Sequence, residues 1–486
     1  MAKAGAQPSF VLVFSLAATL IGSTNISLPW VISQSGLILG PILIVFVGLL
    51  SAYSGHLILK NSKGYFDFGI KCRDTLGKWS EVLAQIISVV MMISAQISLH
   101  IFLSQNVFSL VNAFISFAKG VPPAWWKREI AALIILALEF PLTLLTNLKF
   151  IIRLSSFGFI AVLAVSVIVI VTGVTPPGGI TLDGATMFST NFPISLGVLS
   201  VSFFIHNMLS SMFHDARSPK HNPINLFLGF FIDILIYTSV GVAGYLGYHH
   251  FPDPITGECR TVPDNYLLCF SSTNVWAFVA RIFLTLQMLI TWPVMFRQMR
   301  SSFFEGFFPK CAIHCGAGCV CPRRQIRAHD RHDETQPLLD NLPAESREVR
   351  TIERQAADRS TGPVELNFWI HILPFAIVFM GITTLFALFY PSVGNILRFA
   401  GALSGFVYIY LLPTLVEAVV QYRKMAIPEP SMTPDPNGSI NQDLNLMGKS
   451  EDVVTKRSFV WTVTKTTLMI IYGLAVLAFQ FVFRAK

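Results

Sequence analysis

Long apolar runs govern how this chain can fold. They recur at about residues 9–34, 37–59, 79–104 (with a further turn or two toward 118), 129–147, 150–174, 192–213, 224–249, 274–299, 367–389, 394–420 and 459–483. An apolar helix needs about 20 residues to cross a hydrocarbon layer roughly 30 Å thick, so each run is a candidate span. Backbone amides in lipid must be paired within the chain, which permits only helices or closed barrels. Runs without apolar–polar alternation are not barrel strands. The expected fold is an all-α integral membrane protein with eleven transmembrane helices. Charged residues make up 13% of the 486 residues, against about 25% in a soluble protein, which excludes an ordinary soluble enzyme. The net charge of +8 does not mark a nucleic-acid binder, because the 41 Phe fall inside the apolar runs and the basic residues between them. No short apolar stretch near Met1 ends in a small-residue cleavage site, so the first run is expected to be kept as a span or signal anchor.

Cytoplasmic loops retain Lys and Arg. Lys60, Lys63, Lys71, Arg73 and Lys78 follow the second run, Lys149 and Arg153 the fourth, and Arg297, Arg300, Arg323, Arg324, Arg327 and Arg331 the eighth. All three loops fall on one side, which places the N-terminus in the cytosol and Lys486 across the membrane, in the lumen. Lys119, Lys127 and Arg128 argue weakly the other way. The expected organisation is a short cytosolic N-terminus over 1–8, a membrane domain over 9–300, a disordered cytosolic insert over 301–365, and a second membrane part over 366–483. The insert is polar, mixed in charge and without apolar period. A second polar loop, about 424–458, carries the sequon Asn437-Gly438-Ser439 on the expected cytosolic side.

The first span is interrupted by Gly22, Ser23, Thr24, Asn25 and Pro29. An unwound stretch at mid-depth is tolerated where it lines a cavity, and its half-helix ends offer amides to a carboxylate and carbonyls to a cation. That suits an amino acid; close packing through small residues is the alternative. A comparable interruption, GVLSVSFFIHN from Gly197 to Asn207, occupies the same place in the next block of five helices, the arrangement of an inverted repeat whose broken first helices enclose a substrate.

Ionisable groups inside spans need partners or a water-filled path, which singles out Glu139, His206, Asp233, Arg281 and Arg398. His206 can bond substrate, gate access or carry a proton, or it is a core histidine bonded to a neighbouring helix. Glu139, two residues before Pro141, is either a proton site or a cap for groups that the proline kink disturbs. Asp233, Arg281 and Arg398 form interhelical pairs or reach an interface. Thr285, Gln287 and Thr291 precede Pro293 and offer oxygens suited to Na⁺, although a Thr in a span commonly bonds its own helix.

Cys259 and Cys269 share a non-cytosolic loop in which an oxidising lumen favours a disulfide. Cys311, Cys315, Cys319 and Cys321 lie beside Arg323 and Arg324 just past the eighth span, as palmitoylated cysteines do; their spacing fits a zinc knuckle poorly. Glu334, Leu338 and Leu339 form an acidic dileucine pattern on a cytosolic segment, the signal that clathrin adaptors read for delivery to lysosomes.

GSTNISLPWVISQSG, GVLSVSFFIHN, ARIFLTLQMLITWP and VGNILRFAGALSGFVYIYLLP resemble the amino acid/auxin permease family, in its sodium-coupled neutral amino acid transporter branch and among its lysosomal, arginine-responsive members. The resemblance runs from about residue 9 to the last helix. It implies the eleven-helix, five-plus-five inverted repeat (LeuT/APC-like) with broken helices one and six. It puts Gly22, Ser23, Thr24 and Asn25 on one wall of an amino-acid site and Phe204, His206 and Asn207 on the other, with Thr291 near a cation position. Ala18 stands where the family commonly has Asn, which removes a cation-site oxygen. Only about eight residues precede the first span, so signalling through a long N-terminal tail is not expected.

The expected function is secondary active transport of amino acids, outward to the cytosol, across the lysosomal or late endosomal membrane, with Na⁺ or H⁺ as coupling ion, no other cofactor, no metal site and no catalysis. The expected partners are the amino acid substrate, membrane lipids and clathrin adaptors. The alternative is an amino-acid-sensing receptor with little transport that signals through its cytosolic loops. A membrane enzyme is not supported, because no nucleophile–base pair, metal motif or phosphate loop stands in its required context.

Overall fold

A computed structural model describes residues 8–62, 65, 67–144, 149–175, 182, 184–214, 216–247, 262–271, 273–307, 368–426 and 456–483. Among these, the chain is helical without an extended strand. The helices are α1 (Ser9–Leu20), α2 (Leu28–Ser35), α3 (Leu39–Asn61), α4 (Phe68–Leu76), α5 (Lys78–Phe117), α6 (Arg128–Thr143), α7 (Lys149–Val174), α8 (Phe192–Ser202), α9 (Leu209–His214), α10 (Asn222–Gly247), α11 (Val275–Phe307), α12 (Leu373–Phe389), α13 (Val393–Gly405), α14 (Leu412–Ala426) and α15 (Lys456–Val482). Among the described residues six helical stretches are long and apolar enough to cross a membrane: 39–61, 78–117, 219–247, 275–304, 393–426 and 457–482. The pair α1 and α2, bent by 52°, makes a seventh candidate. Shorter apolar helices cover 160–174, 192–202 and 373–389.

The outward faces are apolar, as lipid requires. Ile42, Phe46 and Leu49 on α3, Ile224, Phe231 and Leu235 on α10, and Leu468 and Ile471 on α15 are all exposed; side chains of this kind in such number have no place facing water. Polar residues turn inward. Glu417 of α14 is 4% exposed and accepts from Lys60 Nζ at 2.7 Å, Asn61 Nδ2 at 2.8 Å and Gln421 Nε2 at 2.7 Å.

Two helix pairs approach so closely that no side chain fits between them. A Cβ on Gly401 of α13 would land on the Gly197 carbonyl oxygen of α8, and one on Gly173 of α7 would land on the Ala243 carbonyl of α10. Small residues allow such backbone contact, which replaces the hydrophobic drive that helices lack in lipid. The small residues of GVLSVS therefore sit in a continuous helix, α8, and serve packing. The sixth span breaks only after them.

One expected boundary shifts. The eighth helix runs on through Phe307, into the stretch expected to be insert. The third run is a single helix of 40 residues, about 60 Å at 1.5 Å per residue. The rest of the insert, the 427–455 loop with its sequon, the dileucine pattern (Glu334, Leu338, Leu339), Cys259 and Cys311, Cys315, Cys319 and Cys321 lie outside the described residues. Cys269 is buried in the loop after α10.

Candidate functional site: two interrupted helices joined by one tyrosine

The first span loses its α-helix after Leu20. The Gly22 amide donates to the Leu20 carbonyl at 2.7 Å, and the chain turns through a 3-10 stretch, Ser23–Ser27, before α2 begins with Pro29 in its first turn. Thr24 and Asn25 are 8% and 2% exposed. Asn25 Nδ2 donates to Ser166 Oγ of α7 at 2.7 Å, leaving Asn25 Oδ1 without a partner. Thr24 Oγ1 approaches the Tyr237 phenol outside hydrogen-bonding geometry. Ser27 Oγ donates to the Asp264 carbonyl at 2.7 Å. Asp264 Oδ2 in turn accepts the Gly394 amide at the start of α13 at 2.9 Å. Burial holds this loop carboxyl above its ordinary range, opposed by the amides of Gly394, Asn265 and Val393. Of Ser23 only the backbone is described.

The sixth span loses its helix at Phe203, and α9 resumes at Leu209. Phe203 is fully buried and packs against the rings of Phe230 and Tyr237, with centroids at 6.2 and 5.1 Å. Phe204 meets Tyr408 edge-on at 5.5 Å. His206 Nε2 lies 3.1 Å from the Ser51 carbonyl of α3. A carbonyl can only accept, so Nε2 carries the hydrogen and the buried, unpartnered Nδ1 is left as an acceptor. Asn207 Nδ2 donates to Ser88 Oγ of α5 at 3.0 Å. His206 is thus bonded to a neighbouring helix, with one nitrogen to spare.

The two interruptions are brought together by a residue that sequence reading passed over. Tyr237 of α10 places its hydroxyl 2.6 Å from the Leu20 carbonyl and 3.1 Å from the Ser202 carbonyl, the last residues of α1 and α8. Beyond this clasp, Ser195 Oγ of α8 donates to the Val31 carbonyl of α2 at 2.8 Å. Helix C-termini carry partial negative charge, and here two of them converge on a single hydroxyl hydrogen. No sequence signal separates Tyr237 from any other span tyrosine.

The remaining candidates are dispersed. Thr291 Oγ1 donates to the Gln287 carbonyl of its own helix at 2.8 Å and lies 3.3 Å from Gln287 Nε2, so its hydroxyl is engaged locally. Glu139 does not serve the Pro141 kink. Its Oε2 accepts from His100 Nδ1 of α5 at 2.6 Å, both side chains fully buried, because α5 packs closely against α6. Arg281 Nη2 donates to the Leu267 and Phe270 carbonyls of the loop before α11, and Arg398 Nη2 to the Phe483 carbonyl at the end of α15. Both cap backbone rather than pair with an acid. Among the described residues no three His, Cys, Asp or Glu gather as a metal site. An apolar groove of about 370 Å³ between α3 and α10, lined by Leu49, Phe227 and Phe231 among others, faces outward and lacks the polar groups an amino acid needs.

A multi-pass helical membrane protein with two interrupted helices set side by side is the class that fold and site define. The chain belongs to the family described as transmembrane amino acid transporter protein, which matches residues 10–426. It is similar to neutral amino acid transporter 9 of Danio rerio, at 24% identity over 86% of this chain and 76% of that one. It is also similar to the sodium-coupled neutral amino acid transporter 9 homolog of Caenorhabditis elegans, at 21% identity over 85% and 68%. Amino acid transporter AVT1D of Arabidopsis thaliana is 25% identical over 46% of this chain and 41% of its own length.

Proposed function

We propose that the protein is a secondary active amino acid transporter working by alternating access, with its substrate held between the interruptions of the first and sixth spans. The observation that carries this reading is the Tyr237 clasp, which joins the ends of α1 and α8. Around the two breaks lie buried polar atoms with unused capacity: Thr24 Oγ1, Asn25 Oδ1, Ser51 Oγ and His206 Nδ1. Unpaired polar atoms away from water are costly, and the ammonium and carboxylate of a zwitterion would satisfy them. Gly22, Ser23, Thr24 and Asn25 form one wall, and Phe204, His206 and Asn207 the other. Substrate binding need only favour one arrangement of the helices over another to drive the cycle.

In this reading the spans number eleven, built as two inverted five-helix repeats and a final helix, with the N-terminus cytosolic and the C-terminus lumenal. The membrane is lysosomal or late endosomal, on the strength of the dileucine pattern at Glu334, Leu338 and Leu339, read by clathrin adaptors, and net transport in this reading runs toward the cytosol. Cys259 pairs with Cys269, and Cys311, Cys315, Cys319 and Cys321 are the candidates for palmitoylation.

Uptake of radiolabelled amino acids by proteoliposomes is the test. Saturable uptake that falls about tenfold in Ser23→Ala or His206→Ala, equivalent to about 1.4 kcal/mol, supports transport. Binding without flux would instead make the protein a receptor. For location, Leu338→Ala with Leu339→Ala moves the protein to the cell surface; unchanged residence would discard the motif.

A further inference from the structure

Among the described residues three acids are buried in the helical bundle, and they are treated differently. Glu417 has three hydrogen-bond donors and Glu139 has His100. Asp233 of α10 is fully buried, and neither of its carboxylate oxygens has a partner among the described residues. A carboxylate stripped of water and left unpaired costs several kcal/mol, so such a group takes up a proton or a cation.

Its surroundings sharpen the requirement. Asp233 lies one helical turn before Tyr237 and within electrostatic reach of its phenol, on the face of α10 where Gly229 meets Leu16 of α1 and Phe230 meets Phe203. The two helix C-termini clasped by Tyr237 add negative potential to the same place. Among the described residues no cation pairs with it. Among the elements packed on α10, α1, α2 and the 3-10 stretch carry no ionisable group. Helix α3 offers Tyr53, His56 and Lys60, of which Lys60 pairs with Glu417 and His56 sits lower, beside Phe227. The turn before α10 brings Lys220 and His221, both exposed, and α7 begins with Lys149 and Arg153. Tyr237 and Tyr245 lie on α10 itself, and His206 follows in the sixth-span break. Among the described residues none forms an ion pair with Asp233. A metal cation would need several ligands at once, and no group of three His, Cys, Asp or Glu gathers at Asp233 among the described residues. A proton needs only the one carboxylate.

We infer that Asp233 carries the coupling proton of this transporter: protonated while Tyr237 clasps the two interruptions, and deprotonated when the clasp opens. The O–H bond of the acid breaks, its electron pair stays on the carboxylate, and the proton passes to water on the side to which the bundle opens. The charged carboxylate then repels the two helix ends that Tyr237 had held, so the protonated and clasped states stabilise each other. The inference rests on the transporter reading above and selects H⁺ over Na⁺ as its coupling ion.

Infrared difference spectra of the purified protein test the resting state without reference to transport. The wild type should show the C=O stretch of a protonated carboxylic acid at neutral pH that Asp233→Asn lacks; identical spectra would overturn the inference. In proteoliposomes an inward proton gradient should accelerate wild-type amino acid uptake, and that acceleration should vanish in Asp233→Asn. Acceleration that survives in the variant, or that follows a sodium gradient alone, would also overturn it. Should Asp233→Asn not fold, Asp233→Glu serves instead, expected to keep a shifted C=O band and a gradient response. If the wild type moves no amino acid, the transporter reading fails, and the infrared comparison alone decides whether Asp233 holds a proton.

Discussion

In the first span the chain leaves the helix after Leu20 and hands its polar side chains sideways, Asn25 to Ser166 of α7 and Ser27 to the Asp264 loop. In the sixth span the interruption is filled by rings, Phe203 against Phe230 and Tyr237, and its polar groups reach α3 and α5 through His206 and Asn207. The glycines at the two interruptions differ as well. Helix α8 lies in backbone contact with α13 at Gly197 and Gly401. At Gly22, by contrast, an added Cβ would meet nothing nearer than the Leu20 carbonyl at 3.9 Å. The helix into the sixth break is held by backbone contact, while the first break has room at its glycine and is held by hydrogen bonds from Asn25 and Ser27.

Gly401→Ala attacks the side held by backbone contact and should have the largest effect. The methyl group must displace the α8 backbone, at a cost of about 3 kcal/mol, seen as a large fall in the yield and unfolding temperature of purified protein. Tyr237→Phe comes next. It leaves the Leu20 carbonyl without its side-chain donor and the Ser202 carbonyl without the phenol, at about 2 kcal/mol, and should loosen both breaks together; hydrogen exchange rising in one span only would show that the clasp does not couple them. Asn25→Ala should cost about 1.5 kcal/mol and Asn207→Ala about 0.5 kcal/mol, because Asn25 is buried while Asn207 is only half-buried and water can replace its bond; the reverse order in thermal unfolding would invert the contrast. Gly22→Ala should have the smallest effect on stability, within about 0.5 kcal/mol, and is the sharpest test of the open side: a loss as large as that of Gly401→Ala would show hidden packing there.

Much of this is legible in the sequence. Gly22 to Asn25 contains the residue types that leave a helix readily, and the turn begins at that glycine. The sixth-span motif was readable only in part, because glycine and serine within a span serve close packing as readily as unwinding; Gly197, Ser200 and Ser202 pack, and the break falls at Phe203. Thr291 illustrates the same ambiguity, since its hydroxyl is engaged within its own helix. Glu139 was recognisable as a group needing a partner, but His100 lies 39 residues away in the chain, and only the docking of α5 on α6 makes the pair.

The sequence by itself determined that the chain is helical and lives in a membrane, because unbroken apolar length and the need to pair every amide in lipid are local, additive demands. Only the tertiary structure decided that Tyr237 would hold both interruptions and that Asp233 would have no partner among the described residues. Those outcomes depend on which helix faces meet, and in lipid that is set by the fit of small residues and a few hydrogen bonds between segments far apart in the chain.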